Sequence, residues 1–221
     1  MPAHALSPAM ETDLMKLWHC SNARSFRPLW ALEEMNLPYE LEVMPFPPRV
    51  LREGYTDLNI LGTVPYFEDG KAKMTESTAI CHYLVETYDQ HAFGLTADHP
   101  EYGNYLNWLY HSDATLTFPQ TLYLRYTRLE PDESKAAVGE DYRKWYLARL
   151  KMLNARVADH EFLVADHFTI ADIACAYALY LGENLGIAAD YKPQTAAYLE
   201  RMKARAGFQR ALAVQEEQAA T

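Results

Sequence analysis

Strand-like and helix-like stretches alternate from Met15 to Tyr88, and after Pro100 strand signals essentially vanish. That switch narrows the fold to a mixed sheet-and-helix unit followed by an all-helical one. Met15 to Trp18 is a short apolar run interrupted by Lys16 and reads as a first strand. Cys20 to Ser25 is a polar loop, and Phe26, Leu29 and Trp30 stand behind it at helical spacing. This helix should stop near Asn36, because Pro38 disfavours helix at the residue before it. Tyr39 to Met44 alternates apolar and acidic residues, the pattern of a half-buried strand. Strand, helix, strand in that order predicts a parallel pair with a crossover helix.

Pro45, Pro47 and Pro48 then interrupt regular structure, and Val50 to Asn59 reads as either a short irregular helix or a loop. Val64 to Phe67, the turn Glu68-Asp69-Gly70-Lys71, and Ala72 to Met74 form a predicted hairpin, with Gly70 suited to positive φ. Thr75, Glu76 and Ser77 lead into a helix with Ala79, Ile80, Tyr83 and Leu84 on one face. The whole order is thioredoxin-like. Gln90 to Pro100 carries no apolar stripe and reads as a linker. Beyond it, three helical faces stand out: Tyr102, Tyr105, Leu106 and Leu109; Leu147, Leu150, Leu153 and Val157; and Ile170, Ile173, Ala174, Tyr177 and Leu181. The expected organisation is a loose tail over residues 1–12, a thioredoxin-like α/β domain over 13–92, and an all-α helical-bundle domain over 100–221.

Composition excludes several functions. The chain carries 30 Asp+Glu against 20 Lys+Arg, for a formal net charge of -10, with no basic cluster. Nucleic acid is therefore a poor partner, since phosphate binding needs clustered positive charge. No apolar run is long enough to span a bilayer, and Met1 to Thr12 lacks the basic start and apolar core of a signal peptide. Cys20, Cys81 and Cys175 are odd in number and far apart, against both a disulfide framework and a metal cluster. The eight histidines show no metal-ligand spacing. A cytoplasmic protein with no metal and no membrane partner is the expectation.

Chemistry has three candidate places. Val64-Pro65 opens the hairpin, either as a cis peptide holding the Val64 backbone outward or as a trans proline on an edge strand. Glu76 and Ser77 stand at a helix start, where free N–H groups and the dipole suit a carboxylate; ordinary capping is the alternative. Ser21, Asn22, Arg24 and Ser25 crowd the loop after the first strand, where short donors and a helix start would favour a thiolate. Cys20 beside them is either a nucleophile or a small buried residue. Thr169 and Asp172 fit a capping box. Tyr110, His111 and Tyr123 are either packing residues or the wall of an apolar pocket.

These pieces resemble the bacterial cytosolic glutathione transferases. Asn22 to Glu40 is similar to that family's first helix and second strand, Leu58 to Gly70 to its cis-proline hairpin, Met74 to Leu84 to its glutathione-carboxylate motif, and Phe168 to Ile173 to the cap of a central helix. The resemblance implies a homodimer with glutathione as co-substrate. It implies that Val64, before Pro65, pairs its backbone with the cysteinyl part, that Glu76 and Ser77 hold the γ-glutamyl end, and that Arg52 or Thr63 reaches the glycyl carboxylate. The catalytic group is implied in the loop after the first strand. Here Asn22 takes the place of the usual serine and Ser21 lies beside it, so these two are the candidate catalytic donors. The implied reaction is thiolate attack on an electrophilic apolar or aromatic substrate. The competing expectations are a glutathione-dependent disulfide reductase or peroxidase, and a non-catalytic binding protein of the same fold.

Overall fold

The computed structural model describes residues 14–70, 72–131 and 133–219, the last without its side chain. The tail expected over residues 1–12 lies outside the described residues, as do Asp13 at the predicted start of the first domain and Lys71 in the hairpin turn.

The first half holds a four-stranded sheet in the order β2-β1-β3-β4. Strand β1 (Met15–His19) pairs in parallel with β2 (Tyr39–Val43) and antiparallel with β3 (Tyr66–Asp69), which pairs antiparallel with β4 (Ala72–Met74). Helix α1 (Phe26–Met35) makes the crossover and stops at Asn36, which adopts the left-handed conformation (φ 51°) that ends helices. The segment left open between helix and loop contains two single turns, α2 (Pro48–Leu51) and α3 (Tyr55–Leu58). Val64-Pro65 is cis, and β3 begins one residue later as an interior strand. Helix α4 (Ser77–Thr87) follows the hairpin.

Every regular element among the described residues of the second half is helical. Helix α5 (Tyr102–Tyr110) continues through a π-helical stretch, His111–Thr117, into α6 (Phe118–Leu124), and a second π stretch, Arg125–Leu129, closes that rod. The first widening sits just before Pro119, which has no N–H to give and whose ring crowds the preceding turn. The run read as one face from Leu147 to Val157 is two helices, α7 (Ala136–Arg149) and α8 (Lys151–Asp159), broken at Leu150. Helix α9 (Ile170–Asn184) is buried on every side from Ile170 to Tyr180 rather than along one stripe, so it is the central helix of this half. Its capping box is present: the Thr169 hydroxyl accepts from Ala171 N, and the Asp172 carboxylate accepts from Thr169 N at 2.9 Å. That carboxylate also accepts from Leu163 N and from the Tyr198 hydroxyl. Helices α10 (Pro193–Lys203) and α11 (Ala206–Ala219) follow. No helix among the described residues is long and apolar enough to cross a membrane.

One hydrophobic core runs through both halves. Phe26 and Trp30 of α1 meet Phe208 of α11 edge-on at 5.1 and 4.9 Å, and Phe26 also meets Tyr177 and Tyr180 of α9. Gly207 allows this approach, since a Cβ there would lie 2.6 Å from the Glu34 side chain and 2.9 Å from its Cα. Arg205 then reaches over to Glu34 at 2.7 Å. The sheet half is thus fastened to the last helix, which matters for the loop that ends β1.

Candidate functional site

A second, smaller core of Trp18, Cys20, Met44, Tyr55 and Tyr66 lies at the carboxyl end of β1, with Ala23 and Val64 packed against it. It therefore brings the loop after β1 and the cis-proline segment to one place. Tyr55 Oη and Asn59 Nδ2 donate to the Thr63 carbonyl at 2.7 and 2.8 Å, which fixes the peptide before Val64. Thr63 itself is exposed, Val64 half-buried and Pro65 buried. Arg52 is exposed and paired with Glu42 at 3.1 Å, with a further bond to the Glu53 carbonyl.

The third element, the start of α4, joins through α1. Glu76 is the cap residue of α4, is exposed, and makes no side-chain cap bond, so simple capping does not account for it. Ser77 is buried, because Arg27 draws it into the junction between the two halves. Arg27 is fully buried. Its Nε donates to the Ala174 carbonyl, Nη1 to Ser77 Oγ and Asp113 Oδ1, and Nη2 to the Ser112 carbonyl and Thr117 Oγ1, all between 2.7 and 3.2 Å. Every N–H of the guanidinium thus has an acceptor. The Tyr177 ring lies 4.7 Å beneath it. Ser77 accepts from Arg27, so its own hydroxyl hydrogen is left for another acceptor. Burial pushes the Asp113 carboxyl up, but Arg27 and Arg24 beside it outweigh burial and hold it below the ordinary range. Sequence reading gave Arg27 no role; the only signal was one arginine inside the apolar run Phe26 to Leu32.

The loop after β1 is more constrained than its polar composition implies. Ser25 is buried and turns its hydroxyl back on Cys20, accepting from its N–H and donating to its carbonyl. The N–H groups of Ala23, Phe26 and Arg27 bond to Cys20, Ala23 and Arg24 carbonyls, so the helix start offers an anion fewer free donors than expected. Arg24 reaches Thr121 at 2.7 Å and Asp113 at 3.6 Å. Cys20 is fully buried, and burial pushes its thiol up to about 12, which leaves it a packing residue. Asn22 is half-buried in the left-handed conformation (φ 60°), which asparagine tolerates. Its Oδ1 accepts from Tyr180 Oη at 2.7 Å and from Gln215 Nε2 at 3.0 Å, and its carbonyl accepts from Tyr177 Oη. Ser21 is exposed. Among the described residues, no partner meets the Ser21 hydroxyl or the Asn22 NH2.

The pocket residues do not gather at this loop. A groove of about 510 Å³ runs between α4 and α5, with Glu76, His82, Tyr110 and Asp113 in its walls. Tyr110 is largely exposed there. His111, next in sequence, is half-buried with its ring edge-on to Trp108 at 5.5 Å, and burial holds its imidazole below the ordinary value. Tyr123 packs toward Gly139 of α7, while Thr117 and Thr121 on the same rod face the arginines of α1 and its loop. No group of His, Cys, Asp and Glu among the described residues has metal-site geometry.

Comparison with known proteins places this arrangement. Residues 20–92 match the glutathione S-transferase N-terminal domain, and residues 113–206 match the glutathione S-transferase C-terminal domain. The chain is 30% identical over 158 residues to glutathione S-transferase hmp2 of Hypomyces subiculosus, covering 66% of this chain and 73% of that protein. It is 27% identical over 212 residues to glutathione S-transferase sirG of Leptosphaeria maculans, covering 90% and 88%. The crystal structure of glutathione transferase URE2P8 from Phanerochaete chrysosporium, with oxidized glutathione, superposes with a TM-score of 0.79 at 19% identity, covering 96% of this chain and 100% of that one. The thioredoxin-like half, the helical half and their order all agree, and the chain belongs to the glutathione S-transferase family.

Proposed function

We propose that the protein is an enzyme that binds glutathione and activates its thiol for attack on an electrophilic, apolar or aromatic substrate. The observation that carries this reading is the convergence of the β1 loop, the Val64-Pro65 segment and the α4 start around α1, with short donors left without partners in the loop. In this reading the γ-glutamyl carboxylate takes the remaining hydroxyl hydrogen of Ser77 and the α4 N–H groups. Its amine pairs with Glu76, with Asp113 close by in the same groove. The Val64 backbone pairs with the cysteinyl part. Arg52, on leaving Glu42, or else Thr63, takes the glycyl carboxylate. Ser21 and the Asn22 NH2 donate to the sulfur and favour its thiolate. The thiolate forms a bond to the electrophilic carbon, and the leaving group departs with the electron pair. Tyr110 walls the α4–α5 groove and would meet the substrate there, while His111 and Tyr123 lie outside the lining of that groove.

A homodimer, a cytoplasmic location and a role in detoxification belong to the same proposal. The first is tested by light scattering, where a monomer mass at micromolar concentration counts against it. The function is tested by retention on immobilised glutathione, followed by assays with a generic aryl halide and a hydroperoxide. Retention with aryl-glutathione formation is expected. Peroxide turnover without conjugation makes it a glutathione peroxidase or disulfide reductase, and retention without either makes it a binding protein. No retention sinks the glutathione reading.

A further inference from the structure

Gln215 of α11 is 3% exposed and stands at the far end of the chain from the loop after β1, yet both ends of its amide bond to that loop. Its Oε1 faces the backbone N–H of Asn22 at 3.2 Å. A backbone N–H only donates, so the atom facing it is the oxygen, and this bond alone fixes the orientation of the Gln215 amide. His19 Nε2 lies 3.1 Å from the same oxygen and must therefore carry its proton. The other end, Nε2, then donates to Asn22 Oδ1 at 3.0 Å, and the Tyr180 hydroxyl donates to the same atom at 2.7 Å. Asn22 Oδ1 has two lone pairs and two donors. Rotating this amide by half a turn would set its NH2 against the NH2 of Gln215. The orientation of Asn22 is thus dictated by groups on α9 and α11, and what it has left is its NH2.

We propose that Gln215, assisted by Tyr180, is a positioning residue that holds the Asn22 amide with its NH2 toward the glutathione sulfur, so that the last helix of the chain sets thiol activation. This rests on the reading of the Ser21-Asn22 loop as the thiol site. Gln215 touches no substrate in this arrangement. It acts through Asn22, and a glutamate in its place keeps acceptors for His19 and the Asn22 N–H but removes the donor that meets Asn22 Oδ1. A carboxylate there attracts the Asn22 NH2 and turns the amide around.

The test is the thiolate absorbance of bound glutathione against pH in the wild type, Ser21→Ala, Asn22→Ala, Gln215→Ala, Gln215→Glu and Tyr180→Phe, with the melting temperature and the glutathione dissociation constant of each. Asn22→Ala is expected to raise the apparent thiol pKa by about one unit, a tenfold loss of thiolate below that pKa. Gln215→Ala and Gln215→Glu should raise it in the same direction, with glutathione affinity held within about twofold, since the γ-glutamyl and glycyl contacts lie elsewhere. If a Gln215 variant does not fold, Tyr180→Phe, which removes a single hydroxyl from the same Oδ1, carries the test and should also raise the thiol pKa. A purely structural Gln215 lowers the melting temperature and leaves the thiol where it was; that result, with Asn22→Ala still shifting it, overturns the positioning role and spares the thiol site. A thiol unmoved by Asn22→Ala overturns the positioning role, and one unmoved by Ser21→Ala as well overturns the thiol site.

Discussion

Arg27 and Asn22 flank the start of α1, and both hold polar contacts with the helical half, but in opposite ways. Arg27 is fully buried and every one of its N–H groups has an acceptor. Asn22 is half-buried; its oxygen is doubly bonded to α9 and α11, and its NH2 has no partner among the described residues. A saturated buried cation can only hold the halves together, because any ligand bond would break an existing one. A residue with its acceptor fixed and its donor free is set to meet an incoming group. The difference separates a part of this junction that holds the fold from a part with a donor to offer a ligand, the part proposed to meet the thiol.

The largest expected effect comes from the saturated partner. Arg27→Met should destabilise the protein by about 3–5 kcal/mol in urea unfolding, because it takes the buried guanidinium away from five acceptors and leaves Asp113 with Arg24 as its remaining cationic partner. Arg24, which meets the same Asp113 from a partly exposed position, should behave differently: Arg24→Met is expected to cost no more than about 1 kcal/mol. Equal effects from the two would remove the contrast.

The second effect is a pH dependence on the Asn22 side. Burial pushes the His19 imidazole down to about 4, partly offset by its bond to Gln215. The unfolded chain takes up this proton near 6.5 and the folded chain only near 4, so the stability His19 gives is complete above 6.5 and is lost as the pH falls toward 4. The loss amounts to at most about 3 kcal/mol. Asp172 works in the same window with the opposite sign: burial lifts its carboxyl to about 6 in the folded chain, so its contribution favours the fold at low pH and fades as the pH rises through that value. The His19 share is therefore read as the difference between the wild type and His19→Asn, whose stabilities should converge as the pH falls from 7 to 4. Parallel curves would show that His19 titrates as it does in the unfolded chain.

The third effect concerns ligand rather than fold. Glu76 is exposed and caps nothing, so Glu76→Ala should weaken glutathione binding by about 1.5–3 kcal/mol in calorimetry with an unchanged melting temperature. Ser77→Ala should weaken binding as well, but also cost about 1–3 kcal/mol of stability, since it removes an acceptor from buried Arg27. If Glu76→Ala binds as tightly as the wild type, the α4 start is no recognition element.

Much of this arrangement is legible in the sequence because it is local. The β1 loop, the Val64-Pro65 pair and Glu76-Ser77 each announce themselves within a few residues, and turn chemistry and helix-start physics say what each suits. The same locality explains what is not legible. Arg27 looks like any surface arginine until Asp113 and Thr117 are folded onto it, and Gln215 gives no sign that its partner is Asn22, because both facts depend on contacts across the whole chain. Periodicity misled in a related way. The apolar spacing runs unbroken past Leu150, where the backbone ends one helix and begins the next, and the selected stripe on α9 hid a helix buried on all sides. The free N–H groups expected at the start of α1 are occupied by carbonyls of the loop itself, so in the proposed thiol site the burden of stabilising a thiolate falls on the Ser21 and Asn22 side chains.

That burden is measured most directly by the thiol of glutathione bound to the wild-type protein. Its thiolate absorbance, followed against pH with the protein in excess, should give an apparent pKa about one to two units below that of free glutathione, worth about 1.4 kcal/mol per unit. A bound thiol that titrates together with the free tripeptide, while calorimetry shows that it is bound, would contradict the account: the site would hold glutathione without activating it.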